Sequence, residues 1–468
     1  MNNRGISLTF TKIVNTILVV CPFAACWFLY YEPITMTKGS AQVSVLVILV
    51  YSLIFYSLVL RLDGFRASVK KVSEQIYTQI VATGLTDICA VVGIWMLSIH
   101  FPNLWPGFLC FLGQCVVIPF ICWWEYREYY KYNLPKKTLV VYDLRQGMEN
   151  LFEAYGLEKR FAIEEVIPVE DTLENLDVLN GSEVVFLCGI HSHERNIIMK
   201  ECMYRNVQVY VIPRIGDLLM SGTEQMHMFH LPMLRGKRYM PLSEYRIAKR
   251  AFDLLFSGLA LILFSPIFLI TAIAVKMDGG PVFYKQNRLT LNGKEFKILK
   301  FRSMCVDAEK MSGAVLSSGK NDPRITKVGR IIRALRLDEL PQLINIFQGD
   351  MTIVGPRPER PEIAEMYEKE LPEFKLRLQA KAGLTGYAQV YGKYNTTPYD
   401  KLLMDLMYIS CASLFMDLKI CIETLRILFD KQSTEGLGEE EVTLTYGERR
   451  NTEQHEEKGE KKTSYEKL

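Results

Sequence analysis

The sequence predicts a multi-domain membrane protein: an α-helical transmembrane bundle, then an α/β domain, then a mainly α-helical domain. Three observations carry the prediction. Four apolar runs open the chain, and a set of short β-rich runs follows. The second half has a helical pattern, broken by one more apolar run and by a pair of carboxylates bracketed with arginines. At 468 residues the chain is long enough for several domains. Its 49% hydrophobic and 23% charged residues describe neither a disordered chain nor a bare membrane bundle. A net charge of +3 does not imply nucleic acid, so basic character matters only where it is local. The 11 cysteines include no C-x-x-C pair and read as small buried hydrophobes in a reducing setting, not as disulfides or zinc ligands.

The four runs are Ile13 to Tyr31, Val43 to Leu60, Ile80 to Ile99 and Leu104 to Trp124. Each approaches the roughly 20 residues that a crossing helix needs, and three further spans argue against reading the first as a cleaved signal peptide. Arg4 and Lys12 precede the first run; Arg61, Arg66, Lys70 and Lys71 separate the second from the third; Arg127, Lys131, Lys136 and Lys137 follow the fourth. The other loops carry little positive charge, so the positive-inside rule puts both ends of this bundle, residues 1–132, in the cytoplasm.

Residues 133–240 change pattern. Thr138 to Leu144, Glu183 to Ile190 and Val207 to Pro213 read as buried parallel strands, with helices between them. The result is a Rossmann-like α/β domain. After the first strand come Asp143, Leu144, Arg145, Gln146 and Gly147, where a dinucleotide site needs G-x-G-x-x-G, so no NAD is expected. His191, His193, His227 and His230 lack a carboxylate or cysteine partner at ligand spacing and read as loop or packing residues.

Residues 241–431 hold the chemistry. The fifth apolar run, Leu254 to Val275, has basic residues at both ends: Arg246, Lys249 and Arg250 before it, Lys276, Lys285 and Arg288 after. That pattern favours a helix that enters one leaflet and turns back, with Ser265-Pro266 as the break. Asn292-Gly293 reads as a hairpin turn that brings Lys297, Lys300 and Arg302 together. Asp338 and Glu339 then stand between Arg324, Arg330, Arg333 and Arg336 on one side and Arg357 and Arg360 on the other. Arginine forks match phosphate oxygens, and a carboxylate serves as phosphoryl-accepting nucleophile or metal ligand. The bland alternative makes Asp338 the N-cap of a helix over Leu340 to Phe347. Proline on either side of Arg357 fixes its backbone, which suits a phosphate clamp. Tyr399 to Phe429 reads as two amphipathic helices, and the charged tail, residues 432–468, as disordered.

The segments KILKFRSM (Lys297 to Met304), DELPQ, GDM, VGPRP and GLTGYAQV (Gly383 to Val390) resemble the bacterial sugar transferase family, the polyprenyl-phosphate hexose-1-phosphate transferases. The first half resembles the long form of that family in layout. Relatives commonly carry Pro and Trp where Ala382 and Tyr387 stand here, a departure that bears on the sugar and not on the reaction. The resemblance implies a catalytic domain with a re-entrant membrane helix over 251–276, in a bacterial inner membrane and facing the cytoplasm. It implies transfer of a hexose 1-phosphate from a nucleotide diphosphate sugar, UDP-glucose or UDP-galactose, to undecaprenyl phosphate, which starts exopolysaccharide, capsule or O-antigen synthesis. Asp338 would be the nucleophile and Glu339 its partner, both near Mg2+. Lys300, Arg302, Arg324, Arg330, Arg357 and Arg360 would bind substrate phosphate. Direct transfer in a ternary complex, an N-acetylated sugar, and a silent scaffold for polysaccharide-assembly proteins stay open as alternatives, as does a homo-oligomer.

Overall fold

A computed structural model of the chain describes residues 2–66, 71–98, 100–239, 241–305, 324–392, 396–429 and 445–446. The chain divides between Val211 and Ile212 into two compact units, and Thr445–Tyr446 belongs with the first.

The first unit opens with α1 (Asn2–Cys26), α2 (Ala41–Arg61), α3 (Val72–Leu97) and α4 (Trp105–Tyr132). All four are long and apolar enough to cross a membrane. Where polar side chains face into the bundle they pair with one another, as backbone and side-chain donors in lipid must: Gln75 donates to Glu125 at 2.7 Å and Gln114 to Tyr51 at 2.9 Å.

The α/β part comprises β1 (Lys136–Tyr142), α5 (Met148–Ala154), β2 (Phe161–Pro168), α6 (Val169–Glu174), β3 (Val184–Cys188), α7 (Ser192–Tyr204) and β4 (Gln208–Val211). The strands form one parallel sheet in the order β2-β1-β3-β4. Leu139, Val141, Val185 and Leu187 pack against Ile198 and Cys202 of α7. The edge strand β2 falls where the sequence pattern predicts only helix. Glu164 and Glu165 break its apolar run, and it is buried on neither side. Thr445–Tyr446 pair antiparallel with Arg145–Gln146; the remainder of the charged tail lies outside the described residues.

The second unit begins with α8 (Ile215–Ser221) and a hairpin of β5 (Glu224–Met228) and β6 (Leu231–Arg235), which carries the exposed His227 and His230. Next come α9 (Ser243–Leu263) and α10 (Ser265–Met277), bent by 64° at Phe264. Pro266 cannot donate to the turn before it, and the Ser265 hydroxyl covers the Ile262 carbonyl at 2.7 Å. A hairpin of β7 (Phe283–Leu289) and β8 (Glu295–Phe301) turns at Asn292 and Gly293, both at positive φ. Then follow α11 (Lys327–Ala334), a 3-10 turn over Leu337–Glu339, α12 (Gln342–Gln348), β9 (Thr352–Val354), α13 (Pro361–Glu370), β10 (Gly383–Thr385), α14 (Tyr387–Tyr391), α15 (Pro398–Ser410) and α16 (Leu414–Phe429). Leu343 and Ile346 of α12, Ile353 of β9, Phe374, Leu402 and Leu406 of α15 and Ile420 of α16 form the main core.

Candidate active site

Asp338 and Glu339 do not cap a helix. They lie in the 3-10 turn that precedes α12, whose own N-cap is Pro341. The preceding residue, Arg336, has φ 56, a left-handed conformation that costs a non-glycine residue about 1–2 kcal/mol. That kink separates α11 from the carboxylate turn, so capping does not account for the pair.

Two polar fastenings hold α12 in place. Asn345 reaches the free edge of β8, accepting from the Leu299 N–H at 2.9 Å and donating to the Lys297 carbonyl at 3.0 Å. Arg250 of α9 donates to the carbonyls of Ile346 and Phe347 at 2.7 and 2.8 Å, where a cation suits the negative end of the helix. With α12 and β8 so joined, Lys300 near the end of β8 donates to Glu339 Oε1 at 2.9 Å. Arg357 Nη2 approaches the same oxygen at 3.6 Å.

The Arg357 loop is pinned through its main chain. Arg377, 4% exposed in its side chain, donates to the Arg357 carbonyl at 2.8 Å and meets Asp405 Oδ2 through Nε and Nη2, each at 2.8 Å. Arg288 donates to the Pro358 carbonyl at 3.1 Å. Pro356 and Pro358 are buried while the Arg357 side chain between them is 48% exposed. Three glycines let the loop pack backbone on backbone. A Cβ on Gly383 would lie 2.1 Å from the Gly355 nitrogen, and one on Gly386 would lie 2.1 Å from the Gly355 oxygen. This explains the GLTG segment as a structural partner of VGPRP.

The two carboxyls are driven in opposite directions. Burial pushes Glu339 up, but the charges of Lys300 and Arg357, the Lys300 hydrogen bond and Arg336 outweigh it and hold the group down to about 2. Asp338 is raised, by burial first and by the Glu339 charge second, against the pull of Lys300, Arg333 and Arg336. Among the described residues no hydrogen bond or ion pair engages the Asp338 carboxyl. An uncommitted, destabilised carboxyl beside a fully charged one is a pair with separated roles.

Of the other residues named from sequence, Arg360 precedes α13 and adds its charge, with that of Arg357, to Arg288. Burial, reinforced by those two cations and opposed by Glu359, lowers Arg288 to about 10. Arg302 is buried after β8. Arg330 is an exposed residue of α11, and the charges from that flank that reach Asp338 are those of Arg333 and Arg336. Arg324 meets Cys305 through its carbonyl at 2.9 Å, at the border of residues 306–323, which are not described. The positioning residues Asn345, Arg377 and Asp405 are absent from the sequence reading, and Arg288 enters it only as a charge after the fifth apolar run. A lone Asn inside the apolar run LINIF was the one available signal for any of them.

Comparison with known proteins places these elements in a family. A family model described as bacterial sugar transferase matches residues 244–431. The chain is similar to a UDP-N-acetylgalactosamine-undecaprenyl-phosphate N-acetylgalactosaminephosphotransferase of Aeromonas hydrophila, 36% identical over 49% of this chain and 54% of that protein. It is similar to a UDP-glucose:undecaprenyl-phosphate glucose-1-phosphate transferase of Caulobacter vibrioides, 39% identical over 40% of this chain and 71% of that one. An undecaprenyl-phosphate galactose phosphotransferase of Salmonella typhimurium is 28% identical over 76% of this chain and 80% of its own length. The match spans about half the length of the Aeromonas relative and of a sugar transferase of Haemophilus influenzae, at 54% and 50%. A relative matched over most of its length, together with motifs that build one connected site, shows that the chain belongs to the bacterial sugar transferase family.

Proposed function

We propose that this protein transfers a hexose 1-phosphate from a nucleotide diphosphate sugar to undecaprenyl phosphate, the initiating step of exopolysaccharide, capsule or O-antigen synthesis. The observation that carries the reading is the unengaged Asp338 carboxyl beside Glu339, which Lys300 and Arg357 hold ionised. Asp338 attacks the sugar-linked phosphorus and the nucleoside monophosphate leaves. A phosphate oxygen of the lipid then attacks the same phosphorus, and the Asp338 carboxylate is released. Arg357 and Arg360 neutralise charge on the phosphates, the main task in phosphoryl transfer.

The donor set fits Mg2+. No group of three His, Cys, Asp or Glu occurs among the described residues, and Mg2+ needs only one or two carboxylates together with substrate phosphates. Asp338 and Glu339 would hold it. Bound there it would add to the neutralisation of the diphosphate.

The broken helix suits a re-entrant arrangement in the cytoplasmic leaflet of the inner membrane. Its two ends are anchored in the same compact unit: Lys249 and Asp253 of α9 bond to Val354 and Ile353, and Val275 of α10 packs on Phe301. An arm of 13 residues such as α10 reaches about 20 Å, short of the roughly 30 Å hydrocarbon core. We assign the catalytic domain to the cytoplasm, a reading supported by four helices long and apolar enough to cross and by the positive charge of their loops. We read the α/β part of the first unit, which follows the bundle in the chain, as Rossmann-like from its parallel sheet.

The test uses the purified full-length protein with UDP-glucose, UDP-galactose and UDP-N-acetylgalactosamine, the sugars in the relatives' names. Without lipid, labelled nucleoside monophosphate should exchange into one nucleotide sugar, and Asp338→Asn should abolish the exchange. Turnover with lipid but no exchange without it would replace the covalent step with a ternary complex. No turnover with any sugar would overturn the reading.

A further inference from the structure

Arg302, one of the phosphate-binding residues that the family resemblance implies, bonds neither Asp338 nor Glu339 among the described contacts. It follows β8 directly, and because side chains alternate along a strand it shares a face with Lys300, about 7 Å away. The residue is only 7% exposed. Its Nη2 donates to the Val275 carbonyl in the last turns of α10 at 3.1 Å, which is a helix-capping bond and accounts for one nitrogen. Nε and Nη1 are buried and have no hydrogen-bond partner among the described residues, and no described carboxylate forms an ion pair with the group. Arginine keeps its proton in proteins, so this is a buried cation with open donors, an arrangement that calls for an anion.

The surroundings select the anion. On α10 the side chains of Leu269, Ile270, Ile273 and Met277 are exposed, and so are Ile331 of α11 and Leu335 just after it, alongside the basic Lys327 and Arg330 of that helix. The two helices pack together through Val275, Ile332 and Val328, so exposed apolar side chains lie on neighbouring helices, and the last turns of α10 carry the carbonyl that Arg302 bonds. A nucleotide sugar has no use for such a surface. A polyprenyl phosphate is an apolar chain with a single anionic end. We propose that Arg302 receives the phosphate of the lipid acceptor, whose chain lies along α10 and α11, leaving Arg357 and Arg360 to the donor. The proposal rests on the transfer reading above. In the second step a phosphate oxygen held by Arg302 forms the new P–O–P bond as the bond between phosphorus and the Asp338 oxygen breaks, and the carboxylate leaves with that electron pair.

The experiment measures full-length protein in lipid nanodiscs with undecaprenyl phosphate, for the parent, Arg302→Gln and Arg302→Lys. Two readouts separate the substrates: KM for each of them, and the lipid-independent exchange of labelled nucleoside monophosphate. Arg302→Gln should raise the lipid KM by about tenfold or more, the worth of a charge-assisted contact, while donor KM and exchange stay within about twofold. Arg302→Lys keeps the charge without the fork and should give an intermediate lipid KM; it carries the test if the Gln variant does not fold. A raised donor KM or lost exchange with an unchanged lipid KM would overturn the assignment, and so would parental values throughout. If the parent shows no exchange, the covalent step fails, and the contrast between lipid and donor KM still decides the place of Arg302.

Discussion

Lys300→Met tests whether the cationic surround sets the ionisation of the carboxylate pair. The ammonium lies 2.9 Å from Glu339 Oε1 and heads the cations that act on Asp338. An opposite charge at this range lowers a carboxyl pKa by about 1 to 3, and Glu339 starts from about 2. Without Lys300 it returns toward its ordinary 4.5, with Arg357 at 3.6 Å keeping part of the effect. Asp338, already raised, moves further up. Both changes favour the protonated forms. The acid limb of kcat/KM against pH, which reports the free enzyme's ionisations, should therefore move to higher pH. Stability follows the same sign. A depressed Glu339 contributes stability that is present above its ordinary 4.5 and lost as pH falls through about 2, so the variant should lose Tm at neutral pH and converge on the parent in acid. The assay is initial rate with saturating lipid across the pH range of the folded protein, with thermal unfolding alongside. A uniform fall in rate at every pH, with the acid limb unmoved, would refute the tuning argument and leave Lys300 as a substrate contact alone.

Asp338→Asn should remove turnover by several powers of ten yet hold or raise Tm. A carboxyl whose pKa is raised on folding gives its stability below its ordinary 3.8 and loses it as pH rises, so removing the charge at neutral pH relieves strain; retention of more than about a tenth of the activity would contradict the nucleophile role. Arg357→Lys should damage the rate although charge is kept, because an ammonium cannot reproduce a bidentate fork; parental kcat and KM would take Arg357 out of the site. Arg377→Met leaves Asp405 buried and unpaired and should cost about 3–5 kcal/mol, read as a large drop in unfolding temperature, and an unchanged temperature would count against the anchoring role. Gly383→Ala places a Cβ 2.1 Å from the Gly355 nitrogen, so membrane yield of folded protein should collapse, and a parental yield would show that the loop can relax.

Much of the architecture was legible because it rests on composition and period. The four apolar helices follow from run length, the break at Ser265-Pro266 from a missing N–H, and the β7–β8 hairpin from Asn292-Gly293. What escaped was set by tertiary contact. The strand β2 is an exposed edge with glutamates at its centre, and its place in the sheet comes from pairing with β1. The site itself was half readable. Adjacent carboxylates among arginines mark it, but a bracket of charge does not say which arginine faces inward. Arg333 and Arg336 act on Asp338, Arg330 faces solvent, and Arg377 holds the Arg357 carbonyl from far along the chain. Nothing in the residues around Arg377 marks it as an ion-pair partner, since its burial depends on Asp405 arriving from α15.

The Arg357 loop separates a root from a tip. Its peptide is gripped by Arg377 on one side and its neighbour's carbonyl by Arg288, whereas the guanidinium is nearly half exposed. Such a residue has a fixed Cα and a side chain with room to change rotamer. In an in-line displacement the negative charge migrates from the incoming group to the departing one, and a static clamp would favour one end of that path. In the mechanism proposed above, a rotamer change would let Arg357 follow the charge across both halves of the reaction at a cost in side-chain rotamer freedom of at most about 2 kcal/mol, with no main-chain rearrangement.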